Sequence, residues 1–167
     1  MFKTNNLVKI ALLTALTTAI SLLVIIPVPA MNGFVTLCEA GIYLSAVLLG
    51  PAGGFWVGAL SGGLIDILSG APQWALFSII IHGIQGLLVG YLYQKLTSSF
   101  KLSMSLVLGS ASMIVGYFLA TMLLYTWPAA MASIPGNLVQ TVFGSLVTIA
   151  MLKGLKKTSF NPAKEGN

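Results

Sequence analysis

The sequence predicts an all-α membrane protein, six transmembrane helices in one bundle with the N and C termini cytoplasmic. Three observations predict it. Of the 167 residues, 57% are hydrophobic and only 7% are charged, against about 25% charged in a soluble domain. Mean hydropathy is +0.97, and a chain this apolar cannot present a wetted surface. The third observation is where the eight basic residues fall.

Turn signals divide the chain into helices expected at roughly 5–26, 37–50, 51–69, 73–95, 101–126 and 133–153, a single integral membrane domain over 1–167. A spanning helix needs about 20 apolar residues. The second and third are short, and Gly50-Pro51 marks the turn that makes them a tight helical hairpin. The other breaks are Pro27-Val28-Pro29, Gly70-Ala71-Pro72, Ser98-Ser99 and Trp127-Pro128. Hydrophobicity continues far beyond residue 30, so a cleaved signal peptide does not explain it. Met1 to Lys9 reads as a short cytoplasmic lead.

Lys3 and Lys9 precede the first span, Lys95 and Lys101 flank the fourth loop, and Lys153, Lys156, Lys157 and Lys164 follow the last span. With six spans all of these lie on one side. The loops 27–36, 70–72 and 127–132 contain none. The positive-inside rule makes the lysine side cytoplasmic and the chain a multi-pass protein of the cell membrane, in contact with the lipid bilayer. The net charge of +5 sits at membrane edges and on no helix face, which argues against nucleic acid. The single Cys38 excludes an intramolecular disulfide and a cysteine metal cluster, and packing suits it better than reactivity.

The polar residues of the spans gather on the side opposite the lysines. Glu39 lies near the outer start of span two and Asp66 near the outer end of span three. Gln73 and Trp74 open span four, and Asn137 and Gln140 lie near the outer start of span six. His82 is about nine residues into span four, about 14 Å at 1.5 Å per residue. An ionisable group deep in a bilayer costs about 2.5–3.5 kcal/mol on insertion scales and is tolerated facing a cavity, a partner or a ligand. Ser78, His82 and Gln85 form one helical stripe, Gly62, Asp66 and Ser69 another, and Asn137, Gln140 and Gly144 occupy adjacent turns. The pattern describes a polar pocket open outward, with Phe34, Tyr43, Trp74, Tyr125 and Trp127 as available aromatic rings.

Each residue also has a plainer reading. Glu39 and Asp66 could be solvated at the interface or cap a neighbouring helix. His82 could bond Asp66 or a backbone carbonyl. Asn137 after Pro135-Gly136 could be a helix cap, and the tryptophans an interfacial belt. Their joint placement on one side favours the pocket. Catalysis has little support: one histidine and few carboxylates make no metal set, and neither a serine nucleophile motif nor a phosphate-binding GxxxxGK[ST] loop is present. Uphill transport would draw on a partner or an ion gradient. Ala11, Ala15 and Ala19 recur every four residues on span one, spacing that admits a second helix closely or packs within the bundle.

These features, with GFVTLCEAGIYLSAVLLGPAGGFWVGALSGGLIDILSG, resemble the substrate-binding S components of energy-coupling factor (ECF) vitamin transporters over nearly the whole chain. The family often carries G-[FY]-[IV]-x-L-G-[DE]-A before a glycine-rich helix pair. Gly33, Phe34, Val35, Leu37, Glu39 and Ala40 match it, while Cys38 stands where glycine is usual. The resemblance implies a non-enzymatic subunit that captures a vitamin from outside. A membrane T component would dock on Ala11, Ala15 and Ala19. Two cytoplasmic ATPases would hold the ATP and Mg, leaving this chain without a cofactor or metal of its own. The loop Pro27–Thr36, with Pro29, Asn32, Gly33 and Phe34, would gate the pocket, and the subunit would topple in the membrane to release its cargo.

GALSGGLIDILSGAPQW followed by FSIIIHGIQG looks most like the subgroup for hydroxymethylpyrimidine, the thiamine precursor, or for pyridoxine. Glu39, Asp66, Gln73, Trp74, His82, Gln85, Asn137 and Gln140 are then the expected substrate-binding residues. A pocket of Asp, His, Gln and Asn offers donors and acceptors to a heteroaromatic alcohol, and Trp74 or Tyr125 could stack on its ring. The absence of lysine and arginine from this region argues against an anionic vitamin. Two other classes stay open: a standalone proton-coupled carrier using Glu39, Asp66 and His82 as relay groups, although no inverted repeat is visible, and a purely structural membrane subunit.

Overall fold

The computed structural model describes residues 4–28 and 33–157. Its described elements are α1 (Thr4–Leu23), β1 (Ile26–Val28), β2 (Gly33–Val35), α2 (Cys38–Leu68), α3 (Pro72–Lys95), α4 (Lys101–Leu124) and α5 (Trp127–Lys157). All five helices are long and apolar enough to cross a bilayer.

The main difference from the expected helices lies in α2. The segments expected at 37–50 and 51–69 form one element, so there are five helices among the described residues rather than six. Gly50 inside α2 is not helical (φ 76°, ψ −170°). A positive φ strains any residue with a Cβ, and Pro51 next to it cannot donate to the preceding turn. The chain therefore breaks here and folds back: Cys38 Sγ lies 3.7 Å from Ser61 Oγ across the two halves. The break at Gly70 is a Schellman end to α2. The Ala71 N–H reaches Asp66 O at 2.8 Å, the Gly70 N–H reaches Ile67 O at 3.4 Å, and Gly70 has φ 83°.

The second half of α2 packs antiparallel on α3 at backbone distance. A Cβ on Gly86 would overlap the Gly54 carbonyl, and a Cβ on Gly54 would overlap that of Gly86. Without side chains at this crossing the two helices touch main chain to main chain, the close approach that small residues permit in membranes.

Two further boundaries and one connection differ from expectation. The helix expected to run to residue 26 ends at Leu23, and β1 pairs antiparallel with β2, Ile26 opposite Val35 and Pro27 opposite Phe34. Where a plain loop was expected, extended residues on both sides of the connection exchange backbone bonds. The helix expected at 133–153 starts at Trp127. Pro128 occupies its first turn, where the missing N–H has no intrahelical acceptor to lose. Asn137 consequently lies inside α5 and is no helix cap.

α1 is sided in the sense a membrane requires. Its buried residues are Ile10, Thr14, Thr17, Thr18 and Ser21, while Leu7, Leu12, Leu16 and Leu23 face outward. Ala11, Ala15 and Ala19 are exposed with them.

Replacing Gly86 with Ala forces a Cβ into the Gly54 backbone and should cost about 1–3 kcal/mol as an overpacked contact, seen as a lower thermal unfolding midpoint in detergent. Gly154→Ala, inside α5 and with nothing within 4 Å of the new carbon, is the matched control and should leave the midpoint unchanged or slightly raised.

Candidate ligand-binding site

One end of the bundle, opposite the α3–α4 connection that carries Lys95 and Lys101, holds a cavity of about 510 Å³ counted out into its open mouth. β2 and the link to α2 contribute Phe34 and Thr36, and the start of α2 Cys38. The end of α2 contributes Ile65 and Asp66, α3 contributes Trp74, Ser78 and His82, α4 Tyr117 and Thr121, and α5 Ser133, Asn137 and Gln140.

Five of the eight residues expected to bind substrate line this cavity: Asp66, Trp74, His82, Asn137 and Gln140. Glu39 and Gln85 are fully buried but lie behind the wall. Gln73 is exposed on the first turn of α3 and points away; its neighbour Trp74 takes the inward position, because adjacent helical residues are about a quarter turn apart. Of the expected gate residues, Phe34 lines the cavity and Gly33 sits in β2, whereas Pro29 and Asn32 lie outside the described residues.

The polar groups are connected. His82 bonds through both ring nitrogens, Nδ1 to Gln85 Oε1 at 2.8 Å and Nε2 to the Tyr117 hydroxyl at 2.9 Å. Tyr117 also meets the Ser78 hydroxyl at 2.6 Å. Gln85 Nε2 donates to the Tyr43 hydroxyl at 2.9 Å, and Tyr43 meets Ser110 Oγ at 2.9 Å. Glu39 Oε1 stands 3.7 Å from His82 Nδ1. The Gln140 side chain accepts the Thr36 N–H at 2.8 Å and so ties the segment after β2 to α5. Asp66 Oδ2, Asn137 Nδ2 and both Glu39 carboxylate oxygens are buried without a hydrogen-bond partner among the described residues.

His82 thus bonds neither Asp66 nor a backbone carbonyl. Gly62 makes room for its ring: a Cβ there would come within 2.6 Å of Cδ2. Trp74 forms an aromatic corner with Tyr117 (centroids 6.0 Å) and Tyr125 (5.8 Å). Tyr125 supports Trp74 and does not line the cavity itself. Trp127 is 58% exposed and packs on Phe118.

Sequence reasoning missed Tyr117, Thr36, Thr121 and Ser133. Tyr117 carried a signal, a phenol in mid-span that needs a hydroxyl partner when buried. Thr121 and Ser133 are small hydroxyl residues that satisfy themselves on the preceding helical turn, and Thr36 accepts the Cys38 N–H in the link after β2, so none leaves a trace in the pattern.

Fold and cavity together define a multi-pass membrane protein with a pocket lined by polar and aromatic side chains at one end of a helical bundle. The chain belongs to the family described as ECF-type riboflavin transporter, S component, whose model matches residues 1–157. It is a transporter subunit and not an enzyme. It is 32% identical over 155 residues to the thiamine precursor transporter HmpT of Lactococcus lactis subsp. cremoris (strain MG1363), covering 92% of this chain and 89% of that one. It is 35% identical over 130 residues to an uncharacterized protein of the gap 3′ region of Pyrococcus woesei, covering 78% and 87% of the two chains. The fold matches that of the S component of a bacterial ECF transporter, with a TM-score of 0.76 at 18% identity over 92% of this chain and 96% of the other.

Gln140→Leu removes the acceptor of a buried backbone N–H and should destabilise the protein by about 1–3 kcal/mol. The local signature is faster hydrogen exchange at the Thr36 amide, with little change in the amides of α3.

Proposed function

We propose that this chain is the vitamin-binding subunit of an ECF-type ABC transporter in the cell membrane, capturing a small heteroaromatic vitamin or precursor of the hydroxymethylpyrimidine or pyridoxine kind from outside for ATP-driven uptake. The observation that carries the reading is the cavity itself: buried, unpartnered donor and acceptor atoms on Asn137 and Asp66 beside the ring of Trp74. Such a site recognises a flat polar ring and rejects analogues that leave its own groups unpaired. Among the described residues no lysine or arginine lines it, which disfavours anionic vitamins. The similarity to a thiamine precursor transporter supports the same class.

The lysine side of the bundle is cytoplasmic in this reading and the cavity opens outward. Counting the two halves of α2 as separate spans, the bundle crosses six times and both termini are cytoplasmic. Phe34, which lines the cavity, belongs to the gate in this reading. A T component docks on Ala11, Ala15 and Ala19, and two ATPases hold the ATP and Mg, so that this chain needs no cofactor. The exposure of all three alanines supports that assignment. Co-purification of the tagged chain with a membrane partner and an ATPase pair, with mass spectrometry of the bound small molecule, tests the whole reading. Riboflavin in the bound fraction would replace the pyrimidine, and a chain that transports without ATPases would be a standalone carrier.

Ala15→Leu should abolish complex assembly and uptake, since close helix approach depends on small residues, while the isolated protein still binds ligand. Loss of ligand binding with assembly intact would place the alanine face inside the bundle's own packing.

A further inference from the structure

The hydrogen bonds around His82 have a direction. Gln85 gives its Nε2 hydrogen to Tyr43, so its Oε1 faces His82 Nδ1 as an acceptor. Glu39 Oε1, 3.7 Å from the same nitrogen, favours a hydrogen there as well. A neutral His82 protonated on Nδ1 leaves Nε2 as a lone pair. The Tyr117 hydroxyl, 2.9 Å away, must then donate inward to His82. The Ser78 hydroxyl gives its hydrogen to Tyr117 Oη at 2.6 Å.

Two other hydroxyls of the cavity are spent on the backbone, Thr121 on Tyr117 O and Ser133 on Ala130 O. Thr36 Oγ1 takes the Cys38 N–H. Tyr117 and Asp66 both line the cavity: with its hydrogen on His82 the Tyr117 oxygen is an acceptor there, Asp66 Oδ2 is a second, and Asn137 Nδ2 is a donor without a hydrogen-bond partner among the described residues.

We propose that Gln85 and Glu39 hold the proton of His82 on Nδ1, that His82 thereby turns the Tyr117 hydroxyl inward, and that Tyr117 and Asp66 form an acceptor pair selecting a ligand with a ring-bound amino group. Tyr117 is the specificity-determining residue, and His82 is a positioning residue that acts through it. An amino group carries two hydrogens and serves both acceptors; a hydroxyl carries one and serves a single acceptor. A ring nitrogen or hydroxyl oxygen takes the Asn137 hydrogen. Within the proposed function, on which this inference rests, it favours the aminated hydroxymethylpyrimidine over pyridoxine.

The single histidine makes the first test unambiguous. Nitrogen-15 NMR of imidazole-labelled full-length protein in nanodiscs, without ligand, should show Nδ1 protonated and Nε2 bare. A proton on Nε2, or on both nitrogens at neutral pH, overturns the proposal. In Glu39→Gln the Nε2-protonated form should rise, and an unchanged spectrum removes Glu39 from the arrangement.

The second test is calorimetry with hydroxymethylpyrimidine carrying its amino group and with the deaminated analogue. Tyr117→Phe keeps the ring against Trp74 and His82. It should weaken the aminated probe roughly five- to 150-fold, the range for an unpaired buried hydrogen bond, and leave the weaker deaminated probe unchanged. Equal loss of both probes, or loss of neither, overturns the proposal. The tautomer is read without ligand, so a wrong tautomer sinks this inference and leaves the vitamin reading standing. Failure of the wild-type protein to bind either pyrimidine sinks both.

Discussion

The main-chain contact between the second half of α2 and α3 is the constraint on which the rest of the structure depends. It places Gly54 against Gly86 and Gly58 against the His82 carbonyl. Two helices held this closely have no side-chain layer between them that can repack, and protein interiors tolerate little change in volume. Their relative register is fixed as a result. That register sets Asp66, on the last turns of α2, beside Ser78 and His82 on α3, so the polar wall of the cavity follows from an apolar packing requirement some turns away.

From this rigid pair the remaining elements are added with decreasing intimacy. α4 brings Tyr117 to His82 and Ser78, α5 brings Asn137 and Gln140 to the opposite wall, and the first half of α2 folds back to place Glu39 and Tyr43 behind both. The hydroxyl of Tyr43 and the amide of Gln85 close a buried chain from Ser110 to Ser78 with His82 at its centre. Buried polar networks of this kind hold side chains in one arrangement because each member left unpaired in a low-dielectric interior is costly.

Much of the fold was legible in the sequence because bilayer physics is severe. Twenty apolar residues, an interrupting Gly or Pro and a lysine at the boundary leave few alternatives, and the helices at 73–95 and 101–126 were located within two residues at each end. What failed has a local cause. Pro after an aromatic residue reads equally as a loop or as the first turn of a helix, so Trp127-Pro128 was placed outside α5. Gly50-Pro51 was recognised as a turn, yet nothing in the letters says whether helical bonding resumes at once on both sides. At the site, periodicity identified Asp66, His82, Asn137 and Gln140 because they break an apolar pattern. It could not separate Trp74 from Gln73, one residue apart, and could not show that His82 spends both nitrogens on protein groups. That depends on partners from α3 and α4, 3 and 35 positions away.

The polar atoms around the cavity divide into satisfied and unsatisfied ones. His82, Gln85, Tyr43, Tyr117 and Ser78 form one hydrogen-bonded chain, whereas Asp66 Oδ2 and Asn137 Nδ2 at the cavity, and both Glu39 oxygens behind it, have no hydrogen-bond partner among the described residues. If all were paired internally, the interior would be rigid and indifferent to a ligand; if none were, the apo protein would carry several desolvation penalties of about 1–3 kcal/mol each. The observed arrangement fixes the wall with the first group and leaves the second without a partner among the described residues. A molecule that supplies a donor to Asp66 and an acceptor to Asn137 removes both penalties at once, without any rearrangement of α2 against α3. Selectivity in such a site comes from the positions of the atoms that face a ligand, and affinity from how little must move to meet them.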